Sequence, residues 1–349
     1  MRKRFHVAVI GGDGIGPEVV EAAIPCIDAA AAAAGAELAW ERLPYGADHY
    51  LETGETLPDE AFHHLRDDVD AIFVGALGDP RVPGMEHARD ILLGLRFRLD
   101  LYINFRPCRL LHPDLTPLKS GEGIDFVIFR ENTEGLYVGR GASKNVGTPE
   151  EEQTAEDVHT APKVTRIIRA AFDWAKAHGK TKVTMADKSN AVPAHRLWGR
   201  ILEQVAPEFP GIAHEHYYID ALAMQMIKRP EQFQVIVTNN MFGDIISDLG
   251  SQLVGGLGVA PSANLHPGRT GLFEPVHGSA PKYAGKGTAN PVATILTGAL
   301  MLENLALADA ARRLEDAVRD ALRDGVRTRD LGGEATTTEM AEAVVERVA

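Results

Sequence analysis

Cysteine is almost missing from this 349-residue chain: Cys26 and Cys108 are the only two. So few thiols exclude a disulfide framework and fit a reducing compartment, so a cytoplasmic location is expected. Positive charge is also in short supply. Lys and Arg number 36 against 49 Asp and Glu, a net charge of -13, and no basic stripe forms, which argues against a nucleic-acid partner. No apolar run reaches the roughly 18 residues that a membrane span needs. The apolar stretch behind the basic N-terminus ends early at glycines, too short for a signal peptide. The histidines show no metal-like spacing; the alternating His214 and His216 read as part of a surface strand. What remains is ordinary for a soluble globular protein, 45% hydrophobic and 24% charged, with enough length for two domains.

The periodicity alternates between strand and helix. FHVAVI (5–10) is a β-branched apolar run ending at glycines, as a buried parallel strand would. Pro17 suits the first turn of a helix over 18–34. ELAWERLPYG and DAIFVGAL (70–77) read as further strands, and so do LYINFRPCRLL, IDFVIFRE, TKVTMAD (181–187) and FQVIVTN (233–239). Helices are expected over 161–178, 292–307, 309–324 and 337–348, the last opened by the capping box TTTE. The Gly- and Pro-rich stretch 271–291 reads as an ordered loop. The polar stretch 138–157 reads as a mobile flap or as an arm ordered by another subunit. The pattern predicts an α/β sheet covered by helices.

GGDGIGPE (11–18) invites comparison with a dinucleotide-binding fingerprint, but its third glycine comes one residue early. Glu41 is only a weak candidate for the acidic partner, and a tight turn before a helix accounts for the motif.

The chemistry-bearing residues are spread over some 150 positions. Arg96, Arg106 and Arg130 offer forks that match carboxylates. Asp244 and Asp248 lie one turn apart on one helix face, and Asp220 ends a strand-like run. Three carboxylates suit a hard cation such as Mg²⁺ or Mn²⁺. Tyr137 and Lys188 can move protons once their surroundings tune them. Together they suit a small substrate with two carboxylates and a hydroxyl. Each residue also has a plainer reading. Arg130 could pair with Glu131 or Glu134 structurally, Tyr137 could be a packed aromatic, and Lys188 a surface lysine. The two aspartates could simply favour a helix N-terminus.

The blocks GDGIGPE, LLGLR, NFRP, RENTEGLY, DKSN, NMFGDIISDL, LFEPVHGSAP and GKGTANP occur in order between residues 12 and 291. In this series the chain resembles the β-decarboxylating dehydrogenases of (R)-hydroxy acids, which include 3-isopropylmalate, isocitrate, homoisocitrate and tartrate/D-malate dehydrogenases. The resemblance implies a two-domain isopropylmalate dehydrogenase-like fold rather than an ordinary Rossmann fold. It implies a discontinuous cofactor-side domain (1–100 and 253–349) and an inserted substrate, metal and dimerisation domain (101–252) bearing the 138–157 arm. Arg96, Arg106 and Arg130 would clamp the malate carboxylates. Asp220, Asp244 and Asp248 would hold Mg²⁺ or Mn²⁺. Lys188, assisted by Asp220, would take the hydroxyl proton, and Tyr137 would protonate the product. Lys188 and Asp220 would reach in from a partner subunit, so a homodimer with shared sites is implied, with a tetramer left open.

The cofactor set implied in the same way is Glu274, His277, Gly278, Ser279, Ala280, Pro281, Lys282, Tyr283 and Asn290. Members preferring NAD commonly carry an acid where this chain has Lys282. Lys282 followed by Tyr283 resembles NADP-using members, and Arg329 could assist a 2′-phosphate, so NADP is expected to be accepted alongside NAD. Leu92 and Leu93 suit an apolar C3 substituent, as in 3-isopropylmalate, and Asp90 would repel a γ-carboxylate. Arg89, standing where isopropylmalate enzymes usually have glutamate, keeps D-malate and tartrate as rivals. A non-catalytic metabolite-binding homologue would have lost Lys188 or Tyr137, and both are present.

Overall fold

The computed structural model describes residues 3–348. In chain order its strands are β1 (Lys3–Gly12), β2 (Ala36–Leu43), β3 (Ala71–Ala76), β4 (Ile103–Arg109), β5 (Asp125–Glu131) and β6 (Gly141–Lys144). They continue as β7 (Glu152–Ala155), β8 (Lys182–Asp187), β9 (Ala213–Tyr218), β10 (Val235–Thr238), β11 (Pro261–Leu265) and β12 (Gly271–Pro275). The helices are α1 (Gly16–Ala33), α2 (Ala47–Thr53), α3 (Asp59–Asp67), α4 (Glu86–Arg98), α5 (Ala161–Ala177) and α6 (Arg196–Val205). After them come α7 (Ile219–Lys228), α8 (Asn240–Leu253), α9 (Val292–Asn304), α10 (Ala308–Arg323) and α11 (Thr337–Val348). Among the described residues, no helix is long and apolar enough to cross a membrane.

The chain divides into two compact units. The first comprises Met1–Leu101, Leu110–Gly121 and Ser251–Ala349. Its strands run in the order β2-β1-β3-β12-β11. The contacts β1–β2, β1–β3 and β3–β12 are parallel, and only β11 runs antiparallel to β12. Every residue of β3 is buried, as expected of a strand covered on both faces. α9 is buried from Val292 to Leu302, whereas α10 buries only Ala310, Ala311, Leu314, Ala317, Val318, Ala321 and Leu322, the i, i+3/i+4 stripe of a surface helix. Leu110–Gly121 belongs to this unit although it lies within 101–252 in sequence. Arg327 reaches its Asp114 at 3.2 Å, and Leu115 is buried.

The stretch read as a loop over 271–291 opens instead with a strand. β12 is buried throughout and pairs Gly271, Leu272 and Phe273 with Ala71, Ile72 and Phe73. Leu272 and Phe273 are good sheet formers, and only the flanking Gly and Pro made the run read as irregular. The sequence expectation of a loop holds from residue 276 on.

GGDGIG is a packing device. Gly14 has φ +58°, and a Cβ there would lie 2.0 Å from the Ser279 carbonyl oxygen. Between these glycines, the buried Asp13 accepts the N–H groups of Ala47 and Gly78, each at 2.6 Å, and lies 2.8 Å from His87 Nε2. That one carboxylate ties together the loop after β1, the start of α2, the loop after β3 and α4.

The second unit comprises Tyr102–Arg109 and Glu122–Gly250. Its strands run β4-β5-β10-β8-β9. β5, β10, β8 and β9 are parallel, and β4 is antiparallel to β5. α5 buries Val164, Ile167, Ile168, Ala171, Phe172 and Ala175. The 138–157 segment contains a hairpin, with Gly141 opposite Ala155 and Lys144 opposite Glu152, and every residue of both strands is exposed.

Candidate active site

In the parallel part of the second sheet, Thr238 registers with Arg130 on one side and with Ala186 on the other. The strands therefore end level. Arg130 is the penultimate residue of β5, Lys188 follows β8 directly, α8 starts just after β10 and α7 just after β9. Side chains from separate parts of the sequence are gathered at one carboxyl edge, where parallel sheets bind ligands.

The Arg130 side chain is 2% exposed. Its Nε donates to Asn240 Oδ1 at 2.9 Å and its Nη1 to Asp244 Oδ1 at 2.5 Å. So Asp244 is an ion-pair partner of Arg130. Glu131 accepts from Thr133 and the Glu134 N–H, while Glu134 holds Thr160. A Cβ on Gly243 would lie 2.6 Å from Arg130 Cβ, so glycine lets α8 approach this closely. The Tyr137 hydroxyl donates to Asp244 Oδ2 at 3.0 Å, with the Arg130 guanidinium 5.6 Å from its ring centroid. Burial, then the charge of Asp244, pushes the Tyr137 phenol above its usual range, which keeps it protonated. Asp248, one turn on, has its carboxyl pushed up by burial and by Asp244, against the pull of Arg106 and Arg130. Arg106 donates from Nε to Asn104 Oδ1 at 2.9 Å and lies 4.0 Å from Asp248.

Lys188 Nζ donates to Asp220 Oδ1 at 2.6 Å, and this bond is the main cause of the lowered Asp220 pKa. Asp220 does not gather with Asp244 and Asp248 in the single chain. Among the described residues, the one group of three metal-ligand side chains within 4.8 Å is Asp157, His159 and His195. The sequence reading missed this group. Its only trace was the i, i+2 pair in EDVHT, and His195 comes from a separate segment.

In the first unit, Arg96 Nη2 donates to Glu274 Oε1 at 2.5 Å, while its buried Nε has no partner. Glu274 also accepts from Asn264 at 2.9 Å. Leu92 is partly buried and packs against the core around Ile91 and Leu95, and both Leu92 and Leu93 stand three or four residues from Arg89 and Arg96 on α4. In the loop after β12, Ser279 Oγ donates to the Gly78 carbonyl at 2.5 Å, and the Ser279 carbonyl accepts the Ile15 N–H. Ala280 takes a φ of +39° ahead of Pro281. Asn290 is held by Asp330. His277 Nε2 is buried without a hydrogen-bond partner, and burial lowers the ring's pKa. Gly278, Lys282 and Tyr283 are exposed. The ammonium groups of Lys282 and Lys286 lie 4.7 and 5.8 Å from the Tyr283 ring.

Comparison with known proteins follows the same lines. The family described as isocitrate/isopropylmalate dehydrogenase matches residues 6–344. A 3-isopropylmalate dehydrogenase of Beutenbergia cavernae is 43% identical, the alignment covering 100% of both chains. A Bacillus subtilis protein named "Probable tartrate dehydrogenase/decarboxylase" is 39% identical over 99% of this chain and 98% of its own. The crystal structure of isocitrate dehydrogenase from Methylococcus capsulatus superposes with a TM-score of 0.90 at 39% identity, covering 99% of each chain.

Proposed function

We propose, for a chain that belongs to the isocitrate/isopropylmalate dehydrogenase family and is a dehydrogenase, that it oxidatively decarboxylates a 3-substituted (R)-malate, foremost 3-isopropylmalate. The observation that carries this reading is the meeting of Arg130, Tyr137 and Asp244 at the sheet edge that also presents the Lys188–Asp220 pair. Arg106 and Arg130 bind carboxylate. For Arg96, paired with Glu274 in the first unit, carboxylate binding rests on the resemblance alone. Lys188, as the neutral amine, receives the hydroxyl proton, and Asp220 holds the ammonium that forms. Tyr137 gives a proton to C3 after CO₂ has left, its hydroxyl held in place by Asp244.

The donor set fits a hard cation. Asp244 and Asp248 with Asp220 of a second copy would hold Mg²⁺ or Mn²⁺, which when bound lowers the hydroxyl pKa and stabilises negative charge on oxygen. A shared site in a homodimer is supported by Asp220 standing apart from its own Asp244 and Asp248. It is supported too by apolar side chains exposed on α7 and α8, Met224 at 64%, Ile227 at 52% and Ile245 at 60%. The two-stranded β6–β7 hairpin, marginal alone, would gain cover from the second copy.

His277, Ser279, Asn290 and the backbone of 278–281 would hold the nicotinamide cofactor, which supplies the hydride acceptor. The buried, unpartnered His277 Nε2 fits a ligand there. Lys282 and Lys286 beside Tyr283 favour acceptance of NADP as well as NAD, because two ammonium groups can meet a 2′-phosphate. A D-malate or tartrate dehydrogenase is the second reading, favoured by one observation. Leu92 is partly packed against the core, which leaves less apolar surface to meet a C3 substituent.

Turnover should be measured with 3-isopropylmalate, D-malate, tartrate, isocitrate and homoisocitrate, each with NAD and NADP in the presence of Mn²⁺. The highest kcat/KM is expected for 3-isopropylmalate, since each buried methylene adds about 0.8 kcal/mol. Equal turnover of D-malate and 3-isopropylmalate would reject an apolar-selective pocket. Lys282→Asp should lower the NADP/NAD ratio of kcat/KM, and an unchanged ratio would reject the phosphate contact.

A further inference from the structure

Asp157, His159 and His195 form a nearly enclosed cluster beside Lys188. The two imidazoles are 2% and 1% exposed, and the Asp157 side chain 21%. A carboxylate and two imidazoles within ligand distance resemble a metal site, but their hydrogen bonds argue otherwise. A metal-bound imidazole normally donates its second ring N–H to an acceptor. Here each second nitrogen faces a donor. The backbone N–H of Lys188 points at His195 Nδ1 at 3.1 Å, and the indole N–H of Trp198 points at His159 Nδ1 at 3.3 Å. Indole and backbone amide can only donate. In a neutral ring the proton must therefore sit on Nε2, leaving no lone pair there for a metal. His195 Nε2 meets Asp157 Oδ2 at 2.7 Å, and His159 Nε2 lies 2.9 Å from Oδ1. Asn239 Nδ2 stands further from His195 Nε2, at 3.5 Å.

We infer that Asp157 and His195 are positioning residues for Lys188, a reading that rests on the proton-transfer role proposed for that lysine. Asp157 fixes the Nε2–H form of His195, and the Nδ1 lone pair so exposed holds the backbone amide from which the Lys188 side chain starts. The chain leaves this amide in a tight turn, with the N–H groups of Ala191 and Val192 returning to the Lys188 carbonyl at 2.9 and 2.8 Å. The far side of the turn is pinned by Ser189 N–H on Asp187 at 2.9 Å. Asp157 itself lies two residues beyond β7. It is followed by Val158, which bridges to Gly135, two residues before Tyr137. One short network thus runs from the base of the exposed hairpin to the segments that carry both proposed proton-transfer groups.

Two substitutions separate the ends of the relay. In His195→Asn, Oδ1 takes the place of Nδ1, so the Lys188 amide keeps its acceptor while the contact to Asp157 is lost. In His195→Gln, the side-chain amide NH₂ takes the place of Nε2–H, so the contact to Asp157 is kept while the Lys188 amide loses its acceptor. With the best substrate of the panel, His195→Gln should lower kcat at least about tenfold with KM changed less than about twofold, the signature of a misplaced reacting group. His195→Asn should keep kcat within about threefold of the parent. Equal kcat losses in the two variants, or losses confined to KM, would overturn the inference.

Long-range ¹H–¹⁵N correlation on the unsubstituted protein gives a readout that needs no turnover. Both rings should be neutral Nε2–H tautomers. A Nδ1–H form of His195, or a stoichiometric transition metal in the purified protein that perturbs these two rings, would overturn it. A protein inert towards the whole substrate panel would defeat the proposed activity, while the tautomers would still decide the role of Asp157.

Discussion

Each unit sets an aspartate against a buried histidine, and the two pairs do different work. In the first unit, Asp13 meets His87 Nε2 at 2.8 Å and also accepts two backbone amides. The other ring nitrogen of His87 ends in the core with no partner. In the second unit, Asp157 meets His195 at 2.7 Å, and the other ring nitrogen passes on to the Lys188 amide. The first pair ends on architecture, and the second continues to a reactive side chain. A buried Asp–His contact is therefore not itself a sign of catalysis. Where the second nitrogen leads is what separates the two.

The comparison can be broken most forcefully at Asp13. Asp13→Ala would strand His87 and the amides of Ala47 and Gly78, and unfolding free energy should fall by about 3–5 kcal/mol, the usual cost of breaking a buried charged network. Urea denaturation would measure this, and a loss below about 1 kcal/mol would show that the surrounding loops repair themselves. Asp157→Asn should cost less, about 1–3 kcal/mol. Its amide group can turn a donor toward His195 and so displace the proton to the nitrogen facing Lys188. Its lasting defect should therefore be in kcat, and a variant with parental kcat but lowered stability would make the two pairs alike.

The smallest effects separate the units by pH. Burial lowers the His159 pKa from its ordinary 6.5, so the folded state favours the neutral ring. The stability that depends on this ring is whole above that ordinary value and declines as pH falls below it. His64, in the first unit, has its pKa raised chiefly by its hydrogen bond to Glu41. Its contribution is whole below 6.5 and is lost as pH rises through the raised value. His64→Asn should therefore lower stability by about 0.2–1 kcal/mol near pH 5.5 and by nothing near pH 9. His159→Phe should lessen the acid sensitivity of unfolding. Thermal melts across this range would expose either sign as wrong.

The sheet was legible because parallel strands buried on both faces are written as continuous apolar runs, such as VAVI in β1 and VIVT in β10. β12 escaped because a five-residue strand bracketed by Gly and Pro carries little periodicity. Within α8, the one-turn spacing of Asp244 and Asp248 could be read from helix geometry alone. What those carboxylates touch could not. Arg130 has an acid beside it in sequence, yet it pairs with Asp244, 114 residues away. The Asp157–His195 contact spans 38 residues and the Asp13–His87 contact 74. Such pairings arise from strand order and the close approach of helices, which no local pattern records.

The interrupted course of the first unit has a consequence for how the chain comes into being. Its N-terminal strands reach the ribosome exit early, but α9, the helix buried from Val292 to Leu302, is made late, with only α10 and α11 after it. Until it emerges, α1, β11 and β12 lack the buried helix they pack against, while Glu122–Gly250 is already available in full. Synthesis therefore favours maturation of the middle before the beginning. A nascent chain stalled short of Val292 should resist protease across 122–250 while 1–101 is still cut.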